Sequence, residues 1–91
     1  MRVLVVEDED SMAASLRRGL EAEGYVVDRA RDGEEALGLA DAHEFDAVVL
    51  DLMIPKRSGF EVTRHLRARG SRVPILMLTA KLGELDQTEA L

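Results

Sequence analysis

Residues 48–59 read VVLDLMIPKRSG. An apolar, β-branched run climbs to a single carboxylate, Asp51, and then breaks into a proline, two basic residues, a serine and a glycine. A run that is apolar at consecutive positions, rather than at alternate ones, reads as a strand buried on both faces. Such strands belong to parallel sheets covered by helices. An aspartate at the C-terminal end of one is odd as packing but not as chemistry. In open parallel sheets, functional groups gather beyond the C-terminal ends of the strands.

Working outward, the same alternation repeats. Arg2–Val6 reads as a strand. Met12, Leu16 and Leu20 recur every four residues as the inner stripe of a helix that Gly24 stops. Tyr25–Ala30 is a second strand, diluted by Asp28 and Arg29 and so suited to an edge. Asp32 and Glu35 read as a capping box that opens a helix turning Ala36, Leu37 and Ala40 inward. Phe45–Leu50 is the third strand. Ser58 and Glu61 repeat the capping pattern ahead of Val62 and Leu66, and Gly70 ends that helix. Val73–Leu78 is the fourth strand, with Pro74 near its start. The order β-α-β-α-β-α-β, with short connections, implies a doubly wound parallel α/β sheet in the order 2-1-3-4. ILML at 75–78 is apolar throughout and reads as a central strand buried on both faces, yet AKLGELDQTEAL after it holds one short helix at most. The sheet is therefore expected to stop unfinished.

Composition narrows the class. The chain has 91 residues, enough for one small domain. It holds no cysteine, which removes disulfides and thiolate zinc sites and fits a reducing cytoplasm. MRVLVVEDED is too short and too acidic for a signal peptide or a membrane span. A net charge of −6 makes the domain a poor nucleic-acid binder on its own. Arg64, Arg67, Arg69 and Arg72 cluster, but they read as a solvated helix face and its C-terminal end. His43 and His65 fall on helices away from the acidic ends. Neither phosphate-cradling glycine loop of the nucleotide binders, G-x-G-x-x-G or G-x-x-x-x-G-K-[ST], is present.

The strand ends carry the site. Strand 1 runs into Glu7 and Asp8, strand 3 into Asp51, and strand 4 into Thr79. Order reverses between strands 1 and 3, so three carboxylates and a hydroxyl should meet at one edge. Like charges that close raise one another's pKa, and a divalent cation relieves them; hard oxygens with room for water suit Mg²⁺. Each piece has a plainer use. EDED can serve the positive end of the first helix, Asp51 can be a turn residue, and Thr79 a β-branched residue leaving a strand. The conjunction argues for the site.

VVEDE at 5–9, DLMIPKRSG at 51–59 and VPILMLTA at 73–80 together resemble the receiver domain of bacterial two-component response regulators. DLMIP and LMLTAK are most similar to the class in which the receiver precedes a winged-helix DNA-binding domain. The resemblance covers essentially the whole chain and implies a flavodoxin-like fold. It implies that Asp51 is the phosphoacceptor, receiving a phosphoryl group from a phosphohistidine on a partner sensor histidine kinase. It further implies that Asp8, Asp51 and the Met53 backbone carbonyl ligate Mg²⁺, with Glu7 acting through water or as a second acidic ligand. Thr79 would contact the phosphoryl group, and Pro55 and Gly59 would shape the loop after the acceptor. The Met53 side chain is expected to do local packing only.

The chain also departs from that pattern. A receiver continues through a fifth strand, whose leading lysine contacts the phosphoryl group, and through further helices. Residues 1–91 are thus expected to form a C-terminally incomplete receiver, with Lys81 unable to replace that lysine and DNA reached only through an effector domain absent here. An unfinished sheet is expected to drive homo-oligomerisation. Two readings follow: a cytoplasmic phosphoacceptor switch that is not a turnover enzyme, or a truncated, non-signalling interaction module. A Mg²⁺-dependent phosphatase or cofactor binder on the same sheet is disfavoured.

Overall fold

The computed structural model describes residues 1–78. Its elements are β1 (Arg2–Val6), α1 (Asp10–Ala22), β2 (Val26–Ala30), α2 (Gly33–Ala42), β3 (Ala47–Asp51), α3 (Gly59–Ala68) and β4 (Ile75–Leu78). All strand pairs are parallel, and the sheet runs β2-β1-β3-β4 as the strand chemistry implies.

Alternate residues of the central strands feed two separate cores, because successive side chains point to opposite faces of a sheet. Leu4, Val6, Val48 and Leu50 pack with Ala36 and Leu37 of α2 and Val62 and Leu66 of α3. Val3, Val5, Val27 and Val49 face the other way, toward Leu16 and Leu20 of α1. Full burial of side chains such as Leu4, Leu50 and Val6 contributes about 1.5–3 kcal/mol each. This is what makes β1 and β3 a rigid floor.

Several local expectations need correction. β2 starts at Val26 rather than Tyr25, and β4 at Ile75 rather than Val73. β3 starts at Ala47 and includes Asp51, so the carboxylate belongs to the last ladder position rather than to the loop. Met12 is not part of the inner stripe of α1. It is 41 % exposed, and Ala13 is the buried residue there. β4 is not buried on both faces: Leu76 is 59 % and Leu78 37 % exposed. β2 does lie at an edge, with Val26 exposed.

The caps explain where the helices begin. Ser58 and Glu61 form the full reciprocal capping box of α3. At α2 only half of it forms. Asp32 accepts from the Glu35 N–H, but Glu35 reaches one residue further back, to the Arg31 N–H. Glu9, the N-cap of α1, makes no side-chain capping hydrogen bond. Gly24 and Gly70 end α1 and α3 at φ +94° and +87°, a conformation that costs an L-residue strain and glycine nothing. His43 follows α2 as its C-terminal cap rather than lying within it.

Candidate functional site

The site is built where β1 and β3 end. Val6 pairs with Leu50, so the next residue on each strand, Glu7 and Asp51, emerges at the same level. The Glu7 N–H donates to the Ala30 carbonyl at 3.0 Å, extending the β1–β2 ladder by one step. On the other side Asp51 pairs with Leu78 of β4, and the Leu52 N–H donates to the Leu78 carbonyl at 3.2 Å. Asp51 is thus held in the β4 ladder, one residue beyond the last pairing of β3 with β1. Its Oδ1 accepts from the Met53 N–H at 3.0 Å.

Glu7, Asp8 and Asp51 each place one carboxylate oxygen within 4.8 Å of the other two. Their environments differ. Glu7 is only 8 % exposed, Asp51 is half-buried and Asp8 is exposed. Burial pushes the Glu7 carboxyl above its ordinary range. The Asp51 charge and hydrogen bonding to Asp51 and Asp8 add to the rise, and the Glu9 N–H donated to Glu7 Oε2 opposes it. Three hard oxygens from three side chains, open on the Asp8 side, match the needs of a small divalent cation that keeps several waters. The electrostatic strain on Glu7 is what such an ion relieves, so the donor set fits Mg²⁺.

The loop after Asp51 is held against α2. Ile54 is buried beneath it. The Gly33 N–H donates to the Pro55 carbonyl at 3.2 Å, and Lys56 Nζ sits 3.6 Å from Asp32 Oδ2. Lys56 itself takes φ +71°, a strained conformation for a side-chain-bearing residue. A Cβ on Gly33 would lie 2.5 Å from the Arg57 Cβ and 2.7 Å from its carbonyl oxygen, so only glycine lets the loop come this close. Gly59 has little more room, with a would-be Cβ 3.1 Å from the Asp51 carbonyl oxygen. The loop is thus tied down through the Pro55 carbonyl and comes close to Asp51 and Leu52 at Gly59. The Met53 side chain is 57 % exposed. Thr79 and Lys81 lie outside the described residues.

Two contributors were not singled out from sequence. One is Gly33, whose signal was the Asp-Gly pair opening a helix after a strand. The other is Arg29, read only as a dilution of its strand. Its Nε donates to the Glu7 carbonyl at 2.9 Å, and its Nη1 lies 3.0 Å from Asp10 Oδ1. Arg64, Arg67, Arg69 and Arg72 are all exposed, on α3 and just beyond its end, as a solvated face requires, and two of them make local contacts. Arg67 Nη1 donates to the Ser71 and Val73 carbonyls, and Arg69 pairs with Asp41. His43 precedes β3, at the opposite end of the strand from the acidic cluster, and His65 is exposed on α3. Among the described residues, no helix is long and apolar enough to cross a membrane.

A doubly wound parallel sheet with an acidic cluster at its switch point is a flavodoxin-like domain of the receiver type. Comparison with known proteins agrees. The response regulator receiver domain family matches residues 3–91. The chain is 51 % identical over 81 residues to the response regulator MprA of Mycolicibacterium vanbaalenii, covering 89 % of this chain and 35 % of MprA. It is 46 % identical over 91 residues to the transcriptional regulatory protein TcrA of Mycobacterium tuberculosis, covering 100 % of this chain and 36 % of TcrA. Among solved structures, the response regulator protein TrrA of Thermotoga maritima in complex with Mg²⁺ and BeF superposes with a TM-score of 0.83. The identity is 40 %, over 87 % of this chain and 69 % of TrrA. A second TrrA structure, in complex with the histidine kinase ThkA, gives a TM-score of 0.81 at the same 40 % identity, over 87 % of this chain and 68 % of that one. The chain belongs to the response regulator receiver family. It spans 35–36 % of the length of these curated relatives.

Proposed function

We propose that this domain is a cytoplasmic phosphoacceptor switch that takes a phosphoryl group onto Asp51 from a phosphohistidine of a partner sensor histidine kinase. The observation that carries the reading is Asp51 at the end of a strand pinned on both flanks, facing Glu7 and Asp8. Oδ1 is engaged by the Met53 N–H, which leaves Oδ2 as the nucleophile. Oδ2 forms the new P–O bond, the P–N bond to the donor imidazole breaks, and the imidazole nitrogen keeps the electron pair. Glu7, Asp8, Asp51 and the Met53 carbonyl would hold Mg²⁺, which when bound neutralises charge on the transferring phosphoryl oxygens. Burial of Glu7 and the docked 52–58 loop keep the acceptor oriented, so little ordering remains for the moment of transfer. Thr79 is assigned the contact to a phosphoryl oxygen. The domain is modified one-to-one and is not a turnover enzyme. The kinase partner is supported by the ThkA–TrrA complex. A transcriptional output is supported by the similarity to TcrA, a transcriptional regulatory protein.

Incubation with acetyl phosphate and Mg²⁺, read by intact mass, should add one phosphoryl group, and Asp51→Asn should abolish it. A folded chain that acquires no adduct overturns the reading.

The exposed apolar face of β4, with Leu76 and Leu78, favours a second reading, a module that self-associates through this sheet. Light scattering should then show dimers or larger species that dissociate on Leu76→Asp and are indifferent to Asp51→Ala. A monomer at high concentration removes this reading.

A further inference from the structure

We propose that Arg29 is the positioning residue of the acidic loop: its guanidinium fork sets the Glu7–Asp8 peptide, and through it the geometry of the metal ligands. The inference rests on the Mg²⁺ site proposed above.

Arg29 is an unexpected choice for its place. It sits on β2 opposite Val5 of β1, on the same face as Val27, where the sheet otherwise presents an apolar cluster to α1. Its side chain is 19 % exposed, and Nη2 is buried without a hydrogen-bond partner among the described residues. A desolvated guanidinium with an unpaired N–H disfavours folding relative to a valine there. What the residue gains is contact with both ends of the loop that joins β1 to α1. Nε holds the carbonyl of Glu7, which belongs to the same peptide plane as the Asp8 nitrogen. Nη1 holds the carboxylate of Asp10, the first residue of α1. Between these two anchors lie only Asp8 and Glu9.

The loop needs such an anchor. α1 has no side-chain cap on its N-terminal N–H groups, and within the loop itself only the Glu9 N–H, donated to Glu7 Oε2 at 3.0 Å, ties backbone to side chain. Arg31 also reaches Asp10, at 2.9 Å, but among the described residues it is Arg29 that donates to the Glu7 carbonyl. A planar fork can bridge two acceptors in fixed geometry, and an ammonium cannot.

Three mechanisms give different signs. A purely electrostatic role predicts that Arg29→Gln tightens Mg²⁺ binding, since a nearby cation is removed. A purely structural role lowers thermal stability and leaves the affinity of the folded protein unchanged. Positioning predicts weaker binding for both Arg29→Gln and Arg29→Lys, by about tenfold, the lower end of what loss of an outer partner of a metal ligand costs.

The test is calorimetric titration of Mg²⁺ into the full chain and into Arg29→Lys, Arg29→Gln and Arg31→Gln, with folding checked by circular dichroism. Amide exchange of Asp8 and Glu9 is measured in the metal-free proteins by NMR. Weakened binding and faster Asp8 exchange in the Arg29 variants, with Arg31→Gln within about twofold of the parent, support the inference. Unchanged or tighter binding in folded Arg29 variants overturns it and leaves the phosphoacceptor reading standing. If the parent itself binds no Mg²⁺, the metal site fails, and exchange then decides alone: unaltered Asp8 protection in Arg29→Lys overturns the positioning role.

Discussion

Glu7 and Asp51 leave adjacent strands side by side, because Val6 and Leu50 are register partners in the β1–β3 ladder. Each brings a carboxylate oxygen within 4.8 Å of the other and of Asp8. The backbone ladder enforces this repulsive proximity, and apolar side chains buried on both faces support that ladder. The fold therefore maintains a charge cluster that the side chains themselves disfavour, as a site pre-organised for a cation requires.

The first consequence is a pH dependence with two limbs. Burial and the Asp51 charge raise Glu7 in the folded chain, so the folded state holds that proton where the unfolded state has released it. The associated stability is full below the ordinary glutamate range and is lost as pH rises through the folded value. Asp10, lowered by Arg29 and Arg31, and Asp32, lowered by the Glu35 N–H and Lys56, act oppositely. Their contribution is present above the ordinary aspartate range and lost as pH falls through their folded values. Thermal melts in chelator should show Glu7→Gln more stable than the parent at pH 7 and indistinguishable at pH 4. Added Mg²⁺ should raise the parent's midpoint at pH 7.

The repulsion should be measurable as coupling. Glu7→Gln and Asp51→Asn each relieve the same contact, so the metal-free double variant should gain less stability than the two single gains together. The shortfall is expected to be roughly 0.5–1 kcal/mol at low salt, after allowing for solvent screening. Urea unfolding at two ionic strengths checks both the sign and the decline with salt.

Gly33 should tolerate nothing larger. Gly33→Ala brings a methyl group into the Arg57 backbone and should destabilise by about 1–3 kcal/mol, despite the better helix propensity of alanine. It should also slow phosphorylation of Asp51, because the loop that yields is the one carrying the Met53 N–H. Urea melts and acetyl phosphate kinetics on the same variant test the two effects separately.

The caps rank in a definite order. Ser58→Ala removes an N-cap within a complete capping box and should cost about 1 kcal/mol. Glu35→Ala breaks only the bond to the Arg31 N–H and leaves the Asp32 cap in place, so its midpoint should shift less. Equal shifts in parallel thermal melts would contradict the half-formed box at α2.

Much of this was legible in advance because the patterns are local. Consecutive apolar residues at 3–6 and 48–50 mark the central strands, Asp28 and Arg29 mark β2 as an edge, and Ser58 with Glu61 marks the start of α3. Strand order follows from those assignments, and the meeting of Glu7, Asp8 and Asp51 follows from strand order. The errors also have local causes. Met12 fits a four-residue repeat, but that stripe drifts around a helix of 3.6 residues per turn, and Ala13 occupies the inner face instead. Strand β4 is as apolar as β3, yet what covers each face of it is not a property of its own four residues.

By itself, then, the sequence determined the element types, the parallel sheet and its order, and the three acidic residues at the strand ends. Backbone periodicity and burial preference are written residue by residue. Only the tertiary structure decided that Glu7 is buried while Asp8 is exposed, that Gly33 must admit the Arg57 backbone, and that Arg29 spans both ends of the acidic loop. Those facts depend on distances between segments far apart in the chain, set by how α1 and α2 seat on the sheet, and no local pattern encodes them.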